Sequence, residues 1–154
     1  MGAKPRVTIP AFALALAACT ETPAPGNDAR ADPRDAAKVT LGAKVYARTC
    51  AFCHGARLEG QPEWRARLPN GRLPAPPHDA SGHTWHHPDQ LLFAITKNGV
   101  VPPHAPAGYQ SDMPAFGGNL SDEEIWATLA YIKKQWSRDV LSARAEMLRN
   151  KGLR

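Results

Sequence analysis

From Gly55 to Trp85 the chain runs through Gly, Pro, Arg and polar residues without apolar periodicity, with Trp64 and Trp85 as isolated large groups. A stretch this long without structure of its own is uncommon inside a compact domain. It becomes acceptable when the loop packs on something other than its own side chains. The remaining sequence has little core to spare, since aromatic residues make up 7% of the chain and Pro is high at 15. Small Pro-rich domains commonly need a disulfide, a metal or a cofactor to close their accounts. Of the three cysteines, only Cys50 and Cys53 fall in the part expected to fold. A bridge between them would close too small a loop to staple a domain. A large, flat, apolar cofactor is therefore expected.

Cys50-Ala51-Phe52-Cys53-His54 supplies the means to hold one. C-x-x-C-H is the attachment signature of c-type haem. Two thiols add across the porphyrin vinyl groups, the two-residue spacer on a helical turn sets their separation, and the following imidazole meets the iron from the same side. A thioredoxin-like redox pair also uses C-x-x-C, but it follows a strand in a βαβ context that this sequence lacks. A structural zinc site needs four ligands, and there is no second cysteine pair. Cys50 and Cys53 are accordingly the expected thioether positions of one haem c, with His54 as an iron ligand.

Around the motif the pattern is helical. Val39, Gly42, Ala43 and Tyr46 share a face of a helix expected from Ala36 to about Cys50. Gly42 inside it costs stability unless another helix approaches closely. Pro88 opens a second helix carrying Leu91, Leu92 and Ile95, which Asn98-Gly99 stops near Lys97. Residues 100–118 return to a Pro/Gly loop. Ser121 and Glu124 then form a capping box, with Leu120 and Ile125 as a hydrophobic staple. Ile125, Leu129, Ile132 and Trp136 give that helix a buried stripe, and a weaker helical pattern with basic ends follows Ser137. No strand-like alternation appears.

The N-terminus reads as an export signal over residues 1–18. Lys4 and Arg6 precede an apolar run, Val7 to Ala18, that is too short to span a bilayer. Leu16-Ala17-Ala18-Cys19 resembles a bacterial lipobox, which implies a lipid on Cys19 and a membrane-surface anchor. The alternative is an ordinary cleavage site that leaves a soluble periplasmic protein. Residues 19–35 are polar and Pro-rich and are expected to form the lipidated end and a flexible tether. The folded domain is expected over 36–136, and 137–154 as a basic helical tail. Losing Lys4 and Arg6 reduces the formal charge of +5, and two haem propionates reduce it further. With no basic run interleaved with aromatics, nucleic acid is excluded as a partner.

Residues 36–136 resemble the class I, mono-haem cytochrome c family. The resemblance rests on the helix leading into C-x-x-C-H, the Met-Pro loop before a final helix, Gly42 with Tyr46, and Ala130-Tyr131-Ile132-Lys133. It implies an all-α fold of three to five short helices with long loops wrapped around one covalent haem. It also implies that Met113, in Ser111-Asp112-Met113-Pro114, is the second axial ligand, with His104 as a rival. A carbonyl in Leu73-Pro74-Ala75-Pro76-Pro77 is a candidate acceptor for orienting His54. Trp85 and Tyr109 are candidate propionate donors or plain packing. With both axial positions filled, the iron suits outer-sphere electron transfer rather than bond-making. The expected function is a non-enzymatic, membrane-tethered electron carrier on the periplasmic side, exchanging electrons with a redox donor and acceptor, or a subunit of a larger oxidoreductase. The alternative is a haem-based sensing or binding module, with a second metal such as copper at His83, His86 and His87.

Overall fold

The computed structural model describes Gly2 and residues 28–153. The expected signal segment, apart from Gly2, and Cys19 lie outside those residues, as does the tether up to residue 27. The described residues are helical, with no strand among them. Helix α1 (Ala36–Val45) starts at Asp35, whose carboxylate accepts from the backbone N–H groups of Ala37 and Lys38 at 3.1 Å each. That satisfies two of the donors a helix start leaves unpaired. The helix does not stop near Cys50. It widens into a π turn over Tyr46–Cys50 and continues as α2 (Ala51–His54), ending where Gly55 takes φ +80°. The motif thus sits wholly on helix, with Cys50 as the last residue of the π turn, a feature that recurs at functional sites.

Helices α3 (Asp89–Asn98), α4 (Asp122–Lys134) and α5 (Arg138–Asn150) complete the frame. Gly99, at φ +85°, stops α3, as the sequence predicts. The capping box at Ser121 and Glu124 forms in both directions. Leu120 and Ile125 are buried together with Val45, and Ile125, Leu129, Ile132 and Trp136 are all buried. Helices α1 and α4 cross at Gly42. A Cβ built there would lie 2.5 Å from the carbonyl carbon of Ala127 and 2.9 Å from Cβ of Tyr131, and nearer still to the Ala127 oxygen. The missing side chain lets the two backbones touch.

Two expectations need correction. Residues 28–35 are not tether. Asp28 caps a short 3₁₀ turn, Ala29–Ala31, and its own N–H donates to Asp89 at 2.7 Å. Ala31 is fully buried against Trp126 and Leu129, so this segment belongs to the core. Leu92 and Phe93 of α3 pack against the same cluster, which forms only once α3 and α4 come together. The tail 137–154 is likewise no appendage. Ser137 caps α5, and Arg144 and Leu148 are fully buried. Arg144 reaches Asp89 at 2.8 Å, and Lys133 reaches the same carboxylate at 2.6 Å. One buried aspartate therefore ties α3, α4, α5 and the N-terminal segment together.

The long stretch after Gly55 is irregular, as expected, with one 3₁₀ turn at Thr84–His86. It is held by its own hydrogen bonds. The Gly60 N–H donates to His54, Gln61 exchanges bonds with Ala75, and the His78 N–H donates to Leu58, all at 2.8–2.9 Å. Leu58 anchors this loop in the cluster of Tyr46, Ile132 and Trp136.

Candidate functional site

Cys50, Cys53 and His54 come together because they share one helical segment. Cys50 is half-buried and Cys53 exposed, and both are free thiols. Burial, with a smaller contribution from Cys53, pushes the Cys50 thiol up to about 11, so it is a protonated thiol at neutral pH. The turn carrying the motif is tied down by Tyr46, whose hydroxyl donates to the Gly55 carbonyl at 2.9 Å. Burial keeps that phenol protonated.

His54 is buried, and its Nδ1 lies 2.8 Å from the carbonyl oxygen of Pro76. A carbonyl only accepts, so Nδ1 carries the hydrogen and Nε2 keeps its lone pair. Burial pushes this imidazole below the ordinary histidine range, partly opposed by the Pro76 bond. A neutral ring with one nitrogen pinned and the other free is the state an iron ligand requires. The proline-rich stretch thus supplies the expected acceptor, at Pro76.

Met113 is half-buried in the loop between α3 and α4, with its N–H donating to Ser111 Oγ at 3.1 Å. It lines a cavity of about 470 Å³ with Arg72, Asn98, Val100, Val101 and Tyr109. His54 is not among the residues lining that cavity, so the structure does not bring the two expected ligands into one pocket. An ion pair between Arg72 and Asp112 joins the long loop to the methionine loop beside this cavity. His104 is half-buried in a neighbouring turn, its N–H donating to Val101.

A haem fits these residues on three grounds visible here. The thiols are unpaired, the His54 Nε2 is free to bind iron, and apolar surface stands uncovered near the site. Leu91 and Ile95 of α3 are only half-buried and belong to none of the packed clusters among the described residues. They share a helix face with Asn98, which lines the Met113 cavity. Leu68 and Val101 are also exposed, and Phe52, between the cysteines, is 96% exposed. Patches of this kind mark a binding surface more often than ordinary exterior.

The second-metal cluster of the alternative reading, at His83, His86 and His87, does not form among the described residues. His83 and His87 meet ring to ring at 5.6 Å, whereas His86 lies against Trp85 at 3.7 Å. Among the described residues no three His, Cys, Asp or Glu side chains group as metal ligands. Trp85 donates its N–H to Ala80 at 3.3 Å. Tyr109 lines the Met113 cavity.

Sequence reasoning missed two features. His78 stacks on the His54 ring, with centroids 4.0 Å apart and planes at 22°. Burial, then the neighbouring imidazoles of His54 and His83, pushes it well below the usual histidine range. The signal available was its position directly after Pro76-Pro77. The buried triad of Asp89, Lys133 and Arg144 was the other. Its signal was Lys133 standing four residues beyond Leu129, on the apolar stripe.

A family model described as "Cytochrome C oxidase, cbb3-type, subunit III" matches residues 37–132. A gluconate 2-dehydrogenase cytochrome c subunit from Pantoea cypripedii is 29% identical over 98 residues. That alignment covers 62% of this chain and 20% of the relative, so the chain spans about a fifth of its length. No solved structure matches.

Proposed function

This chain belongs to the cytochrome c family of the cbb3-type oxidase subunit III model, and on that premise we propose that it is a mono-haem electron carrier tethered at a periplasmic membrane surface. Membership implies covalently bound haem c and haem-based electron transfer. The observation that carries the reading is the helix-borne Cys50, Cys53 and His54, with His54 Nδ1 held by the Pro76 carbonyl at 2.8 Å. When bound, haem supplies an iron that takes up and releases one electron. The chain's own part is to hold the ring through two thioethers and to present the His54 Nε2. Met113 would offer a thioether as the second ligand, a soft donor that favours the ferrous state and a higher potential than a second histidine would.

One C-x-x-C-H in the sequence supports a single haem. The lipobox-like Leu16-Ala17-Ala18-Cys19 supports a lipid anchor and export. Because Asp28 and Ala31 are built into the domain, the free tether can include no more than residues 20–27. Fully extended, those residues reach roughly 26–29 Å. The haem domain would work close to its membrane, against partners at the same surface. The relative is named as a cytochrome c subunit of a dehydrogenase, which supports a dehydrogenase as electron donor or as the complex this chain joins.

The test is the absorption spectrum of protein expressed with a haem-attachment system, followed by extraction into acidified acetone. The pigment is expected to stay with the protein. A colourless product, or pigment that leaves with the solvent, removes the covalent haem. A second result bears on Met113. The reduced wild type should take up carbon monoxide poorly, and Met113→Ala should bind it readily. Equal and ready uptake by both would favour the sensing reading over the carrier.

A further inference from the structure

His54 is gripped on more sides than covalent attachment of a cofactor requires. The Pro76 carbonyl fixes where Nδ1 points. Rotation of the ring plane is restrained by whatever lies against its faces, and His78 lies against one of them, 4.0 Å away and nearly parallel. His78 is itself secured from several directions. Its backbone N–H donates to the Leu58 carbonyl, and its own carbonyl accepts from Trp136 Nε1, each at 2.8 Å. Its Nδ1 lies 2.8 Å from the Thr84 hydroxyl, and Tyr46 stands edge-on to it at 6.2 Å. The Thr84 hydroxyl in turn points its hydrogen toward the Pro77 carbonyl, so it accepts from His78 Nδ1–H. A buried hydroxyl, the Trp136 indole and the Leu58 carbonyl thus all hold one imidazole in place.

We infer that His78 is a positioning residue for the iron ligand, a flat plate that sets the plane of the His54 ring and keeps water from its face. The inference rests on the haem reading of the site. Groups that orient a metal-bound histidine tune the metal as well as its affinity. Removing the plate frees the ring to turn and admits water beside it. Water favours the more highly charged ferric form, so the reduced form should become harder to populate.

The experiment compares haem-loaded wild type, His78→Ala and His78→Phe by redox titration and by electron paramagnetic resonance of the ferric form, with urea unfolding alongside. His78→Ala is expected to shift the oxidised-to-reduced ratio at fixed potential about tenfold toward oxidised, or about 59 mV for one electron, and to change the ferric g-values. His78→Phe keeps a flat ring and should keep the wild-type g-values. If His78→Ala fails to accumulate, His78→Leu fills the space without a flat ring and should move the g-values in its place. Unchanged g-values and potential in the replacement that accumulates, with only the unfolding midpoint lowered, would reduce His78 to packing and overturn the inference. A wild type that takes up no haem overturns the haem reading and this inference together. A coloured wild type beside an indifferent variant overturns this inference alone.

Discussion

Asp89→Ala is expected to leave the chain largely unfolded in concentrations of urea that the wild type tolerates. Its carboxylate is fully buried, receiving Lys133 Nζ at 2.6 Å, Arg144 at 2.8 Å and the Asp28 N–H at 2.7 Å. Lys133 and Arg144 have almost no solvent exposure, at 2% and 0% of their side chains. Burial pushes both cations below their ordinary ranges, and the attraction of Asp89 is the main force opposing that. Without the carboxylate, two buried positive charges lose their main counter-charge. Breaking a buried ion pair from one side costs about 3–5 kcal/mol. With two cations dependent on one carboxylate, the loss should lie at the upper end. Whole domains have only ~5–15 kcal/mol to lose. Urea unfolding followed by far-ultraviolet circular dichroism measures it. A drop below about 1 kcal/mol would mean that water reaches the triad and the burial argument fails. The loss should also loosen the 28–35 segment, because the Asp28 N–H donates to this carboxylate.

The second large effect is expected at Gly42. Even alanine places its Cβ where the Ala127 carbonyl stands. Backbone cannot step aside as a flexible side chain does, so α1 and α4 must separate. Alanine gains about 1 kcal/mol of helix propensity over glycine. Overpacking a close contact costs about 1–3 kcal/mol and occasionally more. A clash with backbone belongs at the high end, so Gly42→Ala should be a net loss of about 2 kcal/mol, and Gly42→Val should prevent stable folding. The readout is again the urea midpoint, compared with a substitution at exposed Ala47 on the same helical run. If Gly42→Ala proved as stable as wild type, the helices would not cross where the structure puts them.

Local chemistry is what the sequence carried best. The capping box, the staple, the Gly99 stop and the apolar stripe of α4 are decided within a few residues, and each is present. C-x-x-C-H is equally local, since its geometry needs only one helical turn. Gly42 was legible as a close approach, because a mid-helix glycine has few other reasons to exist. Its partner, Ala127, was not legible, because any small residue on any helix could have served.

Charge on an apolar face was present in the sequence without its meaning. Lys133 stands in the buried stripe of α4, and Arg144 stands between Leu141 and Leu148. Either could have marked a solvated edge. Only the fold brings both to one aspartate at the start of α3, across separations of 44 and 55 residues. The same distance in sequence hid the burial of Ala31, which turned supposed tether into core.

By itself, then, the sequence determined the main helices, most of their ends, the C-x-x-C-H motif and the cytochrome c family, because each rests on neighbours within a turn or two. Tertiary structure alone decided that Pro76 holds His54, that His78 stacks upon it, and that Asp89 neutralises two buried cations. Those contacts join residues far apart in the chain. Their energies depend on burial, and no local pattern reports how much water a folded chain excludes.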